Sequence, residues 1–236
     1  LNFERKRDMK PISIAIDGPS GAGKSSIAKH LAKEMGFIYV DTGALYRAVG
    51  YEVLRQGGEP SDSDFVEKLL PGLKVELKHI NGNQRVFVND EDVSDLIRTP
   101  EVSMAASAVS AIPAVRRFLF DLQRETARKN NCIMDGRDIG TVVLPDADVK
   151  IFLTATVEDR ANRRFLELQQ KGIETTYEEV LEDMKKRDFD DSNRKTAPLR
   201  KADDAVEVDT TGNTFEQSVE ILSRLINDKL KERSGS

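Results

Sequence analysis

The sequence predicts an α/β fold, a three-layer core in which a five-stranded parallel sheet lies between helices. Three observations lead there. Short apolar runs without strict alternation, as expected of strands buried on both faces, alternate with longer segments of helical spacing. The first run empties into a glycine-rich loop that opens a helix. Three of the runs end at Asp17, Asp41 and Asp135, which brings acidic side chains to the carboxyl ends of the strands, where ligands bind in open parallel sheets.

Ile12–Ile16 is the first strand. Gly18-Pro19-Ser20-Gly21-Ala22-Gly23-Lys24-Ser25 follows it, the pattern G-x-x-x-x-G-K-[ST] of a phosphate-binding P-loop. Its glycines let the backbone curl until several N–H groups point at one phosphate. The helix dipole adds positive potential at the same spot. Lys24 supplies a mobile charge for the β- and γ-phosphates, and the Ser25 hydroxyl can ligate Mg²⁺. Gly18 to Ser26 is therefore the expected nucleoside triphosphate site, with Lys24 also catalytic and Ser25 the candidate metal ligand.

Ser26–Met35 reads as a helix with Ile27, Leu31 and Met35 along one face. Gly36 stops it, and Phe37–Val40 is the second strand. Asp41-Thr42-Gly43 turns into a helix from Ala44 to Arg55, ended by Gln56-Gly57-Gly58. Residues 61–100 break the alternation and read as an insertion on the main core. Ser61–Leu70 is a short helix, and Lys74–Ile80 with Gln84–Asn89 form a hairpin about Asn81-Gly82-Asn83. Pro100–Ser110 and Pro113–Asn130 are helices with proline in the first turn. Cys132–Met134 is the third strand, emptying into Asp135-Gly136-Arg137-Asp138, and Val149–Leu153 is the fourth. Val157–Gln170 and Thr176–Arg187 are helical, Asp188–Pro198 is a polar connector, Ala205–Val208 is the fifth strand, and Thr214–Lys231 closes the chain as an amphipathic helix.

Composition narrows the partners. With 39% hydrophobic and 33% charged residues the chain suits a globular protein with an ionic surface. No stretch approaches the roughly 18 apolar residues of a membrane span, and the charged N-terminus has no apolar signal-peptide region. Met9 reads as the natural start, with residues 1–8 an upstream segment. The one cysteine, Cys132, excludes disulfides and cysteine clusters and fits a reducing cytoplasm. His30 and His79 have no partners at metal-ligand spacing. A net charge of −5 argues against nucleic acid, while the arginines gathered between residues 116 and 194 suit small anions gripped in a cleft.

Several classes of protein share the phosphate loop. A GTPase switch needs an Asp-x-x-Gly turn together with an Asn-Lys-x-Asp guanine reader, and no guanine reader is present. A motor or transporter ATPase needs a strand ending in Asp-Glu, whereas here the strand ends in Asp135-Gly136. The missing base is informative, because a phosphate monoester is already an anion and needs no deprotonation. It needs positive charge instead: two unit charges 4 Å apart repel by about 1 kcal/mol in water and by several times that in a partly closed site. A kinase acting on a phosphorylated small molecule is the expected class. A nucleotide-dependent switch or binding module is the reading from another class, and it would show no acceptor-dependent ADP formation.

Four stretches together resemble the bacterial cytidylate kinases: Asp17 to Ser25, Asp41-Thr42-Gly43-Ala44-Leu45-Tyr46-Arg47, Met134 to Thr141, and Arg187-Asp188…Asn193-Arg194…Pro198-Leu199. The likeness runs in order from Met9 to about Lys231; Thr42 stands where the family also carries Ser, and the hydroxyl survives. The resemblance implies ATP + CMP or dCMP → ADP + CDP or dCDP with Mg²⁺; a cytoplasmic location and a monomer are the accompanying expectations. It puts Thr42, Tyr46, Arg47, Asp135 and Arg137 around the monophosphate and ribose. Ser107, Arg116, Asp138 and Arg194 would surround the cytosine, with Arg187 and Asp191 near sugar and phosphates. Arg137, Arg187 and Arg194 join Lys24 as the implied catalytic groups. Residues 9–40, 109–156 and 199–236 would form the core, 41–108 the monophosphate region including insertion 61–100, and 157–198 a mobile lid with Arg160, Arg163, Arg164 and Glu167 on one charged face. A kinase of UMP or AMP is the near alternative, and the carboxylate of Asp138 with Arg116 separates them: the carboxylate accepts from the 4-amino group of cytosine but faces a carbonyl in uracil.

Overall fold

The computed structural model describes residues 10–234; the expected upstream segment, residues 1–8, and Met9 lie outside them. The chain runs β1 (Ser13–Asp17), α1 (Lys24–Met35), β2 (Ile38–Asp41), α2 (Thr42–Arg55), α3 (Ser63–Leu69), β3 (Val75–Ile80), β4 (Asn83–Val88), β5 (Glu91–Asp92), α4 (Pro100–Ser110), α5 (Pro113–Lys129), β6 (Cys132–Gly136), β7 (Val149–Thr154), α6 (Val157–Gln170), α7 (Tyr177–Asn193), β8 (Val206–Asp209) and α8 (Phe215–Ser234). Five strands form a parallel sheet in the order β2-β6-β1-β7-β8, and β3-β4-β5 form a separate antiparallel sheet.

Alternation along β1 divides the two sides. Ile14 and Ile16 pack with Ile27 and Leu31 of α1 and Leu222 and Ile226 of α8, whereas Ala15 faces Val40, Met134 and Ile139 on the other side. A further core joins α2, α4 and α5 to the antiparallel sheet through Leu45, Val49, Val86, Val88, Val109 and Leu119. Register fixes where the acidic strand ends fall: Asp41 stands opposite Asp135, and Asp17 opposite Gly136. Among the described residues no single helix is long and apolar enough to cross a membrane.

Four details differ from the sequence reading. Helix α2 begins at Thr42 rather than Ala44, because the Asp41 carboxylate accepts from Ala44 N at 2.9 Å and so caps the helix from one residue earlier. Helix α7 continues through the expected connector to Asn193. Its buried face is Val180, Met184 and Asp191, so an ion-paired aspartate occupies the place that an apolar residue would mark in the sequence. The link after β6 closes a π-turn at Ile139–Val143, and the third strand of the small sheet is the two-residue β5. The π-turn is held by Asp17, whose two carboxylate oxygens accept from Ile139 N at 2.8 Å and Gly140 N at 2.7 Å.

Candidate active site

A cleft of about 790 Å³ opens beyond the carboxyl ends of the strands, a size typical of small-molecule sites. One end is the glycine-rich loop. Gly18 has φ +148°, and a Cβ there would stand 1.9 Å from the Leu153 carbonyl oxygen; Gly21 has φ +74°, and a Cβ there would stand 2.5 Å from Met184 Cε. Gly18 must be glycine for the loop to pass the β7 backbone, and Gly21 is favoured by its left-handed φ, since the tip of Met184 can move aside. Ser20, Gly21, Gly23, Lys24, Ser25 and Ser26 line the cleft. Gly18, Pro19 and Ala22 do not; Ala22 is buried, and the Pro19 carbonyl accepts from Lys24 Nζ at 2.6 Å. The Lys24 amine is held well below the usual lysine range, first by burial and then by Arg137.

Next to the loop, Asp135 accepts from Ser25 Oγ at 2.8 Å and from Tyr39 Oη at 2.9 Å. A serine hydroxyl beside a buried carboxylate, at a phosphate loop, is the hard oxygen donor set that Mg²⁺ uses when phosphates and waters complete its shell. The residues present therefore fit that ion. Tyr39 was not singled out from the sequence, where it reads as one more residue of a short strand. Asp17 does not reach the cleft wall as the strand-end pattern suggested, because its two oxygens are turned onto the π-turn.

The other end of the cleft is built by α2, α4, α5, the β6 exit and α7. Thr42 Oγ1 donates to the Asp135 carbonyl at 2.7 Å, and Arg47 Nη2 pairs with Asp41 at 2.7 Å. Arg116 and Asp138, both buried, form an ion pair, and Arg194 Nη2 lies 3.5 Å from the other Asp138 oxygen. Both arginines also reach Ser110: Arg116 Nη1 donates to its carbonyl at 3.2 Å, and Arg194 Nη1 to its hydroxyl at 3.3 Å. Ser110 is a second residue that no local motif marks. The Arg116 guanidinium stacks 5.5 Å from the Tyr46 ring centroid, which gives Tyr46 a place in the site rather than only in the core. Arg137 Nε donates to Asp191 at 2.8 Å, and Arg187 Nε is buried with no hydrogen-bond partner. Thr42, Tyr46, Arg47, Ser107, Arg116, Asp135, Arg137, Asp138, Arg187, Asp191 and Arg194 thus all line one cleft with the loop.

The charged face expected of α6 is divided. Arg163, Arg164 and Glu167 line the cleft, but Arg160 turns inward. Its guanidinium donates to the Ser20 carbonyl at 3.0 Å, to the Ala155 carbonyl at 2.9 Å and to both oxygens of Asp188 at 3.1 and 2.6 Å. It ties the glycine loop to α7, a role that its helical spacing did not indicate.

Burial raises two carboxyls of the site. Asp135 is pushed up to about 6 by burial and then by Asp41; Asp17 is pushed up to about 6 by burial, against its two backbone donors. An unfolded aspartate titrates near 3.9, so between about pH 4 and pH 6 the native chain binds protons that the unfolded chain has released. Stability then falls as pH rises through that window. The urea midpoint of the ligand-free protein is expected to be higher near pH 5 than near pH 7.5, with a smaller difference in Asp135→Asn. A native midpoint that rises over this interval contradicts the assignment.

A sequence model described as Cytidylate kinase matches residues 14–228. The chain belongs to the cytidylate kinase family. The cytidylate kinase of Caldicellulosiruptor bescii is 51% identical over 218 residues, covering 92% of this chain and 95% of its own length. That of Carboxydothermus hydrogenoformans is 50% identical over 92% of this chain and 97% of its own. Among solved structures, an uncharacterized protein from Eubacterium ventriosum aligns over 92% of this chain and 98% of its own with a TM-score of 0.51 at 15% identity, a likeness of fold alone. The α/β architecture with its glycine loop is thus that of a kinase family, and the phosphotransferase class expected from the missing base stands.

Proposed function

We propose that this chain transfers the γ-phosphoryl of ATP to CMP or dCMP, giving ADP and CDP or dCDP. One observation supports this above the others: a single cleft joins the glycine loop to a buried Arg116–Asp138–Arg194 cluster, with Arg137 and Arg187 between them. The loop N–H groups and Lys24 hold the donor phosphates. At the far end, Asp138 accepts from the cytosine 4-amino group, with Arg116 facing its carbonyl and ring nitrogen. One Asp138 oxygen is engaged by Arg116, and the other, in a looser ion pair with Arg194 Nη2 at 3.5 Å, accepts from the amino group. Arg47, Thr42 and Arg137 receive the acceptor phosphate, Tyr46 supports Arg116, and Ser107 lines the base end. Asp191 orients Arg137 through Nε.

An acceptor phosphate oxygen forms the new bond to the γ-phosphorus as the bond to the β-bridging oxygen breaks, and that oxygen leaves with the electron pair on ADP. No proton has to move. Arg137, Arg187 and Arg194 with Lys24 offset the charge of two polyanions brought together and the charge spread over the transferring group, where one well-placed arginine can contribute 10³–10⁵ in rate. Ser25 and Asp135 would hold Mg²⁺, which when bound neutralises phosphate charge. Residues 157–198 act as a lid that excludes water as a competing acceptor.

A panel of nucleoside monophosphates assayed with ATP tests the reading. CMP and dCMP are expected to support ADP formation and UMP and AMP to do so poorly, with slow ATP hydrolysis when no monophosphate is present. Rapid acceptor-independent hydrolysis, or equal rates with all four, would overturn it. Asp138→Asn presents its amide to either base and is expected to reduce the CMP-over-UMP ratio of kcat/KM by about 10–100-fold, the worth of roughly 1–3 kcal/mol of hydrogen-bond mismatch. An unchanged ratio removes Asp138 from base selection.

A further inference from the structure

Strand β2 is an edge strand, paired only with β6 in the five-stranded sheet. The outward backbone groups at its end are of the kind that an edge leaves open. Here two side chains of the antiparallel sheet take them. Gln84 Oε1 accepts from Asp41 N at 2.9 Å, and Gln84 Nε2 donates to the Asp41 carbonyl at 3.2 Å. One side-chain amide thus supplies the donor and acceptor that a neighbouring strand would supply. His79 Nε2 donates to the Tyr39 carbonyl at 3.1 Å. Tyr39 and Asp41 are two residues apart, so their outward groups leave by the same edge. His79 and Gln84 stand directly opposite one another across β3 and β4. A single cross-strand pair therefore meets a single strand edge.

That edge carries Asp41, which lines the cleft, and Tyr39, which holds a residue that does. Asp41 caps α2 through one carboxylate oxygen and holds Arg47 at 2.7 Å through the other, while Tyr39 holds Asp135 at 2.9 Å beside Ser25. A Cβ on Gly43 would stand 3.1 Å from both Asp41 Oδ1 and Arg47 Nη1, so the pair is packed closely and follows any shift of the β2 end. The Gln84 amide sits on the backbone of the same residue whose side chain aims Arg47.

We propose that Gln84, with His79, is a positioning residue for the acceptor phosphate: by fixing the end of β2 it sets the direction of Arg47 and the placement of Asp135, and so gives the antiparallel sheet a part in the reaction. This rests on the proposed function, in which Arg47 receives the phosphate of CMP. Gln84→Met keeps the length of the side chain and removes both hydrogen bonds. Arg85→Met, one residue on and facing the other side of β4, removes the contacts to Asp92 at 2.8 Å and Asp95 at 3.1 Å and controls for stability of the sheet.

The wild-type chain is first assayed for CMP-dependent ADP formation, whose absence overturns the proposed function and this inference with it. With that activity present, Gln84→Met is expected to raise the Kd for CMP about tenfold by calorimetry, on the scale of one misplaced charge-assisted hydrogen bond. The Kd for MgATP should stay within about twofold, and kcat should fall less than the CMP affinity. Arg85→Met should lower the urea midpoint without changing the CMP Kd. Gln84→Glu keeps the acceptor for Asp41 N and loses the donor, and its CMP Kd should fall between the other two. A wild-type CMP Kd in Gln84→Met overturns the positioning role alone, as does an equal rise in Arg85→Met. If Gln84→Met does not fold, a wild-type CMP Kd in Gln84→Glu overturns it.

Discussion

Lys24→Ala is expected to lower kcat/KM by about 10³-fold, or about 4 kcal/mol, without lowering the stability of the ligand-free protein. The two halves of this result have one cause. The amino group is buried and donates to a backbone carbonyl, that of Pro19. Burial, and after it Arg137, holds it well below the usual lysine range, with Asp135, Asp17 and Asp191 opposing. A lysine depressed in this way costs the native state stability at neutral pH, and the cost fades as pH rises to the range where the unfolded lysine also loses its proton. Alanine removes that cost together with the charge meant for the phosphates. Steady-state kinetics and urea unfolding of the ligand-free chain read the two halves separately. Loss of activity with an equal loss of stability would make Lys24 a structural residue instead.

The division between what the sequence made legible and what it hid follows the range of the interactions. The loop from Gly18 to Ser25 needs glycines at fixed offsets, a strand before it and a helix after it, and all of these are local. Strand ends are also local, so Asp41 and Asp135 could be brought to one crevice by pattern alone. Asp17 belongs to the same pattern, yet its carboxylate is spent on Ile139 and Gly140, far along the chain, and nothing near it announces that. The inward turn of Arg160 likewise depends on Ser20 and Asp188, distant residues that its helical spacing does not reveal. The same cause shortened α7 in the sequence reading: the residue that keeps its last turns buried is Asp191, which does so through Arg137 and Arg194 rather than through an apolar side chain. Buried polar groups satisfied at long range are what periodicity cannot see. The hairpin at residues 74–89 was readable from its turn, whereas its attachment to the β2 edge through His79 and Gln84 was not.

Arg187→Ala is expected to lower kcat by about 10³-fold while leaving the ligand-free fold at least as stable as the native one. Arg187 sits on α7 with its Nε buried and unpaired. Burial first, and then Arg137, with Arg47 and Arg164 adding to it, lowers it to about 10, against the pull of Asp191. Such a guanidinium is poorly compensated until an anion arrives, so the cleft holds positive potential that bound phosphates relieve. The ligand-free protein gives up little with the side chain, whereas on the proposed function the transferring phosphoryl loses a cationic partner. Arg187→Lys restores a charge but not the planar fork, so it should recover only part of the rate. Stabilisation by saturating CMP with a non-hydrolysable ATP analogue should be large in the native chain and smaller in Arg187→Ala, read as the shift in thermal midpoint. A kcat within a few-fold of native, or a ligand-free midpoint clearly below native, would remove Arg187 from the phosphoryl site. The double variant carries the argument one step further. If Lys24 and Arg187 act on the same γ-phosphoryl, removing both costs less than the product of the single losses, because each loses much of its effect once the other is gone.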